Sequence, residues 1–360
     1  MMTMKRMMTR LRRCGARGLA TALACGALAC AEADTVHEGE HVTLIVDPAI
    51  DACGGMLGHM DRFVTTLADY LGVPLAGEHF TFVWYSEERF AAEAPCGNYA
   101  GWCEWGGDIR STSAPPDYAL ARLILARVGS PPPFYAEGAR AVFTPDLDSH
   151  VGGYPDYGDV QQLLALGQAD PTLAGAFTRF LIDRHGLDAY LVFYASVGYG
   201  DSLPEIEAVH AEHFGESLTE TSVAFDAERR SCPERSFQFK LVECSAPRIA
   251  WDGDSLLLRR SLVCGEDDFV GPFANGLAWN SSTLEVATAR TFEISFTADE
   301  SAWVMLGGCG GCEDEAAVLL ATGREPERRW LPAGRYYLNL GGNVGVAPTV
   351  ALRIERVDEP

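Results

Sequence analysis

Three consecutive prolines, Pro131-Pro132-Pro133, interrupt an apolar stretch running from Ser113 to Phe143, and no other feature restricts the fold of this chain as tightly. Proline fixes φ and lacks an amide donor, so a helix cannot run through such a triplet. Tyr118 to Val128 is apolar nearly all round apart from Arg122 and Arg127, which predicts a helix buried at the centre of a domain. Gly129 and the prolines end it. Phe134 to Phe143 then predicts a second helix, with Glu137 and Gly138 near its start.

The segment before this unit carries a different signal. Lys5, Arg6, Arg10, Arg12, Arg13 and Arg17 precede the apolar run Gly18 to Ala29, the layout of an export signal and too short a run to span a bilayer. No later stretch is expected to span either. The run ends in Ala27-Leu28-Ala29-Cys30, which resembles a bacterial lipobox and makes Cys30 the expected lipidation site, with plain secretion as the alternative. Six basic and no acidic residues precede Cys30, so cleavage there leaves 22 basic against 50 acidic residues, a net charge of −28. Such a surface excludes nucleic acid as a partner, because phosphate contacts need basic residues. Eight cysteines follow the signal: Cys53, Cys96, Cys103, Cys232, Cys244, Cys264, Cys309 and Cys312. An even number in an exported chain predicts disulfides. The favoured pairs are Cys96 with Cys103 and Cys53 with Cys232, so that each half of the chain pairs internally. A zinc knuckle made by Cys309, Cys312, Cys244 and Cys264 is the alternative.

In order, residues 31–40 read as a linker and 41–47 as a first strand. Leu57, Met60, Val64, Leu67, Ala68 and Leu71 recur at helical spacing until Gly72 and Pro74, and Phe80 to Tyr85 reads as a second strand. Glu88 to Ile109, with Tyr99, Trp102 and Trp105, lacks regular periodicity. Leu173, Phe177, Phe180 and Leu181 predict a helix closing at Gly186. Pro204 starts another, capped by Gly215, and Ser217 with Glu220 predicts a capping box for the next. Beyond Phe237 the texture becomes β-rich: 237–243, 255–263, 283–296, 302–307, 316–321, 335–340 and 348–357. The expected organisation is a signal at 1–30, a linker at 31–40, an α+β domain at 41–231 with a small sheet plus helices, and an all-β sandwich at 232–360.

The order of prolines, Phe134-Tyr135 and then Glu137-Gly138-Ala139 resembles the third-ligand segment of gluzincin-type zinc peptidases of the peptidase-MA-like group, and the strand, helix, strand order before it is similar to that fold's small sheet. The resemblance puts Asp117, Tyr118, Ala119, Leu120 and Ala121 where the family carries His-Glu-x-x-His. A gluzincin needs two imidazoles, a glutamate base and a distal carboxylate. Of these only Glu137 survives, so the resemblance implies a fold without the reaction: a pseudopeptidase whose relict cleft is marked by Asp117, Tyr118, Ala121, Glu137 and Gly138. Leu331 to Leu340 resembles a late strand of the pre-peptidase C-terminal β-sandwich modules.

Glu137 has two readings, as a ligand to a metal shared with Asp117 or to a cationic molecule, or as a structural partner of Arg140, Arg122 or Arg127. His210 and His213 lie on one helical face and are further metal candidates, against the simpler account that they are partly buried and hydrogen-bonded. Asp252-Gly253-Asp254 and Glu266-Asp267-Asp268 are solvated turns unless they bind calcium. No cofactor is expected, with zinc the alternative. The leading expectation is an exported, lipid-anchored, non-catalytic protein that binds an envelope or extracellular protein, peptide or glycan and meets the membrane only through its anchor. The enzyme alternative is a metallohydrolase with rearranged ligands from Asp117, Glu137 and His150, His185 or His210, and a purely structural surface protein is the third.

Overall fold

A computed structural model describes residues 33–93, 102–144, 159–228, 240–273, 276–298, 302–309, 318–321, 325–343 and 345–357. It belongs to the α+β class. Strand β2 (Val42–Val46) alternates buried and half-buried residues, as a strand against one apolar layer must. Helix α1 (Met56–Leu71) crosses from β2 to the parallel strand β3 (Phe80–Trp84) and ends at Gly72, whose φ of 66° is the left-handed cap that glycine adopts without strain. Strand β1 (Thr35–Glu38), within the segment expected as a linker, pairs antiparallel with β2 at the edge of the sheet. The aperiodic region yields α2 (Glu87–Glu93), β4 (Trp102–Trp105) and β5 (Asp108–Ser111), which complete a sheet of order β1-β2-β3-β5-β4.

Helices α3 (Asp117–Leu125) and α4 (Pro133–Phe143) form as the triproline demands, with Pro133 inside the first turn of α4. They are followed by α5 (Val160–Ala165), α6 (Pro171–His185), α7 (Leu187–Ser196), α8 (Leu203–Phe214) and α9 (Leu218–Glu228). The Ser217 hydroxyl and backbone amide both meet the Glu220 carboxylate, at 2.7 and 2.9 Å, while the Glu220 amide returns to the hydroxyl at 3.2 Å, which is the expected capping box. Phe134, Tyr135, Phe177, Phe193 and Phe225 fill the core among these helices.

Of the stretch 237–243, expected as a strand, residues 237–239 lie outside the described residues, and Leu241–Cys244 form a short helix α10 instead. Strands β6 (Ser255–Ser261), β7 (Leu277–Val286), β8 (Arg290–Ala298), β9 (Ala302–Gly308), β10 (Val318–Ala321), β11 (Glu327–Leu331), β12 (Gly334–Asn343) and β13 (Thr349–Arg356) follow. The single run expected at 283–296 is two strands. They make two antiparallel sheets, β10-β9-β12-β7 and β11-β8-β13-β6. Leu284, Leu306, Leu338 and Leu340 of the first share one apolar cluster with Phe292, Ile294, Leu352 and Ile354 of the second.

The first sheet is buried on its other face too. Trp279 of β7 belongs to the helical core, and Lys240 lies 5.5 Å from the Tyr337 ring of β12. That is why β12 is buried along most of its length instead of alternating. A covalent bond secures the junction: Cys53 pairs with Cys264, not with Cys232, and the amides of Cys53, Gly54 and Gly55 donate to Gly271, Cys264 and Phe269 at 2.8 to 2.9 Å. Asp34 to Pro360 accordingly forms one compact unit. Cys244 pairs with Cys309, so neither it nor Cys264 is a thiolate for a zinc knuckle. Cys103 is disulfide-bonded, while Cys30, Cys96, Cys232 and Cys312 lie outside the described residues. No helix among the described residues is long and apolar enough to cross a membrane.

Candidate functional site

Helices α3 and α4 place their candidate residues on facing sides, and the turn between them fixes the approach. Tyr118 at the start of α3 donates its hydroxyl to Glu137 Oε2, and the Arg140 guanidinium, one turn along α4, takes Oε1. Arg140 also lies over the Tyr118 ring, 4.4 Å from its centroid, in a cation–π contact. Trp102 of β4 meets the same ring edge-on at 6.2 Å. The structural partner of Glu137 is thus Arg140. Arg122 instead pairs with Glu104 at 3.4 Å, and Arg127 pairs with Glu78.

Burial governs the charges here. It pushes the Glu137 carboxyl up to about 7, and it brings the Arg140 guanidinium down to about 10, with the like charge of Arg122 adding to the effect. The Tyr194 hydroxyl, buried beside both, is raised and stays protonated, so it offers a donor and no anion.

Burial opposes the charge and the Arg140 guanidinium at Oε1 supports it; burial is the larger effect, so the carboxyl ionises only around neutral pH, where its contact with Arg140 becomes an ion pair. The stability its protonated form supplies is therefore complete below the ordinary value of 4.5 and is lost as pH climbs through about 7. Glu137→Gln should remove that loss: urea melts of the two proteins at pH 5 and 7.5 should show the variant gaining on the wild type as pH rises. A constant difference between them would show that Glu137 is not held in this way.

The adjacent Asp117 points elsewhere. Its two carboxylate oxygens lie 2.9 and 3.1 Å from Nε2 of His59 on α1, and both side chains are buried. His59 also meets the edge of Trp279 at 6.3 Å. The sequence reading missed His59, although a single histidine among Met56, Met60 and Phe63 on the buried face of α1 was the available signal. Ala121 is fully buried and has no donor atom. A zinc ion therefore does not fit this donor set: Asp117 is spent on His59, Glu137 on Tyr118 and Arg140, and among the described residues no three His, Cys, Asp or Glu side chains gather around Glu137.

Gly138 has a packing reason of its own. A Cβ there would stand 2.4 Å from Thr178 Oγ1 and 2.5 Å from the Ala174 carbonyl oxygen of α6. The hydroxyl could rotate but the carbonyl cannot, so Gly138 is what lets α4 and α6 approach. Gly138→Ala should cost about 2 kcal/mol in a denaturant melt. A change near zero would show that the two helices separate freely.

The other candidates do not converge on this cluster. His210 is fully buried, with Nδ1 3.1 Å from the Glu216 carbonyl oxygen, and burial lowers its pKa. His213 lies against Phe193 at 6.5 Å. His185 approaches Glu216 at 3.0 Å, but that carboxylate is gripped by Nε and Nη2 of Arg184 at 2.9 and 3.0 Å, which hold it below the usual range. Glu266 and Asp268 both pair with Arg260, and Asp254 pairs with Arg356. His150 lies outside the described residues. Among the described residues no three His, Cys, Asp or Glu side chains are grouped to hold a metal ion.

Neither a protein-family model nor a curated protein sequence matches this chain. Solved structures similar over part of it include the pre-peptidase C-terminal domain of a collagenase from Bacillus anthracis, at 17% identity, covering 31% of this chain and 93% of that one with a TM-score of 0.22. PliG of Aeromonas hydrophila, a periplasmic lysozyme inhibitor of g-type lysozyme, is 14% identical over 31% of this chain and 94% of its own, with a TM-score of 0.22. The capsular polysaccharide assembling protein CapF of Staphylococcus aureus is 10% identical over 82% of this chain and 80% of its own, with a TM-score of 0.14. At such scores these likenesses carry no argument about function.

Proposed function

We propose that this chain is an exported, non-catalytic protein of the cell envelope, tethered through a lipid on Cys30, in which a gluzincin-like scaffold has lost its metal site and serves, with a β-sandwich, to bind a partner. One observation carries the reading. Glu137, the carboxylate that such a site would need, is engaged at both oxygens by residues of its own scaffold, Tyr118 and Arg140. An internal ion pair and hydrogen bond of this kind build a rigid surface and leave no open coordination position. The Cys53–Cys264 and Cys244–Cys309 bridges agree with an oxidising location. Its partner is an envelope or extracellular protein, peptide or glycan.

Incubation of the full chain with zinc and a fluorogenic peptide library should give no turnover above that of the Glu137→Ala variant. Turnover present in the wild type and abolished in that variant would replace this reading with a metallohydrolase.

A further inference from the structure

A cleft of about 350 Å³ opens at one end of the paired sheets, between the turn at Gly253-Asp254 and the β7–β8 connection. Its volume lies within the range of small-molecule sites, roughly 300 to 1,000 Å³. The floor is aromatic: the Trp251 and Phe292 rings are 5.4 Å apart, and the Trp251 indole is fixed by donating Nε1 to the Glu285 carbonyl oxygen at 2.7 Å. The rim is charged. Asp254 and Arg356 hold each other at 3.3 Å, and Glu285 lies 3.8 Å from Arg248. Arg290, half-buried at the start of β8, also lines the cleft and has no carboxylate partner among the described residues.

We propose that this cleft binds a carboxylate-bearing sugar, a uronic acid at the end of a short saccharide. An unpaired guanidinium presents a fork matched to a carboxylate, which it can hold by two parallel hydrogen bonds. The fixed indole offers an apolar face of the size of a pyranose ring, and an aromatic ring with one polar handle engaged is suited to such contact. Asp254, Glu285 and the Thr288 hydroxyl stand at the rim as acceptors for sugar hydroxyls, since an ionised carboxylate has about four acceptor sites and one ion pair does not exhaust them. The acidity of the whole chain does not forbid an anion here. At physiological salt, charges beyond about 8 Å are largely screened, and at the cleft Asp254 and Glu285 are each offset by an arginine, Arg356 and Arg248, which leaves the charge of Arg290 in excess. This site is remote in sequence from Glu137, and its failure would leave the reading of the helical cluster intact.

Titration calorimetry of the full chain with digalacturonate tests it, with maltose as the neutral sugar and glycyl-phenylalanine as a carboxylate without a sugar. Digalacturonate should bind with a Kd of about 1 mM or tighter, and maltose at least about tenfold more weakly. Arg290→Gln should lose about tenfold in affinity, while Arg290→Lys, which keeps the charge without the fork, should lose less. Circular dichroism of both variants, as an independent check of folding, should match the wild type. Digalacturonate failing to bind, maltose binding equally well, binding unchanged in Arg290→Gln, or the dipeptide binding more tightly than the sugar would each overturn the proposal.

Discussion

A Cys53→Ser/Cys264→Ser variant should unfold about 4 kcal/mol more easily than the wild type, the largest single effect expected in this protein. The bridge closes a loop with a sequence separation of 211, and in the chain-entropy account the penalty grows with the logarithm of loop length. It also has structural work beyond closure. Cys53 is buried in the core of the paired sheets, while the residues directly after it open α1 of the helical core, so one bond crosses from one core to the other. Without it, the backbone hydrogen bonds from residues 53–55 and the packing of Trp279 must hold the junction alone. Guanidinium unfolding followed by tryptophan fluorescence should lose its single transition and show the two cores melting apart. A single transition displaced by less than about 1 kcal/mol would mean that burial at the junction suffices by itself.

The second large effect is expected at Asp117. Asp117→Ala should cost about 3 kcal/mol, because it leaves the buried His59 ring without its acceptor. The other ring nitrogen, Nδ1, is buried without a hydrogen-bond partner among the described residues and offers no substitute. Asp117→Asn keeps an acceptor in place and should cost about half as much. His59→Ala should add little to Asp117→Ala, since each substitution removes the same contact, and a double-mutant cycle in urea reads that coupling directly. Additive losses would mean that the two side chains are neighbours without interacting. This pair lies under the sheet at Trp279, so its loss should also loosen the contact between the helical core and β7.

Local punctuation in the sequence was sufficient for much of the architecture. Gly72, Gly215, the Ser217–Glu220 box and the triproline each act within one turn of chain, and each element ends where its chemistry requires. The turn from β7 to β8 was illegible for the opposite reason: Ala287-Thr288-Ala289 contains no glycine, proline or asparagine to mark it. Strand β11 leaves no strand pattern in the sequence because Glu327 to Trp330 are polar or exposed on an edge, with only Leu331 buried. Residues 237–243 read as a strand because of their aromatic and apolar alternation, but their last part turns into α10, which packs against α1 and β12.

The candidate site divides the same way. The family resemblance set Tyr118 and Glu137 in one relict cleft and Arg140 among the partners of Glu137, but no signal in the sequence marked the hydrogen bond from Tyr118. The pairing of Asp117 with His59 was not legible either, because the two residues are 58 positions apart and only the packing of α1 against α3 brings them together. The same holds for Cys53, whose partner Cys264 is fixed by the fold of the junction and not by proximity in the chain.

Zinc content is the most direct test of the claim that α3 and α4 form a closed structural cluster. The full chain, purified without chelators and analysed by inductively coupled plasma mass spectrometry, should carry well under one zinc per molecule, and Glu137→Ala should not change that amount. One zinc per chain in the wild type, lost in Glu137→Ala, would contradict the account, because it would require Glu137 to leave Tyr118 and Arg140 and ligate a metal.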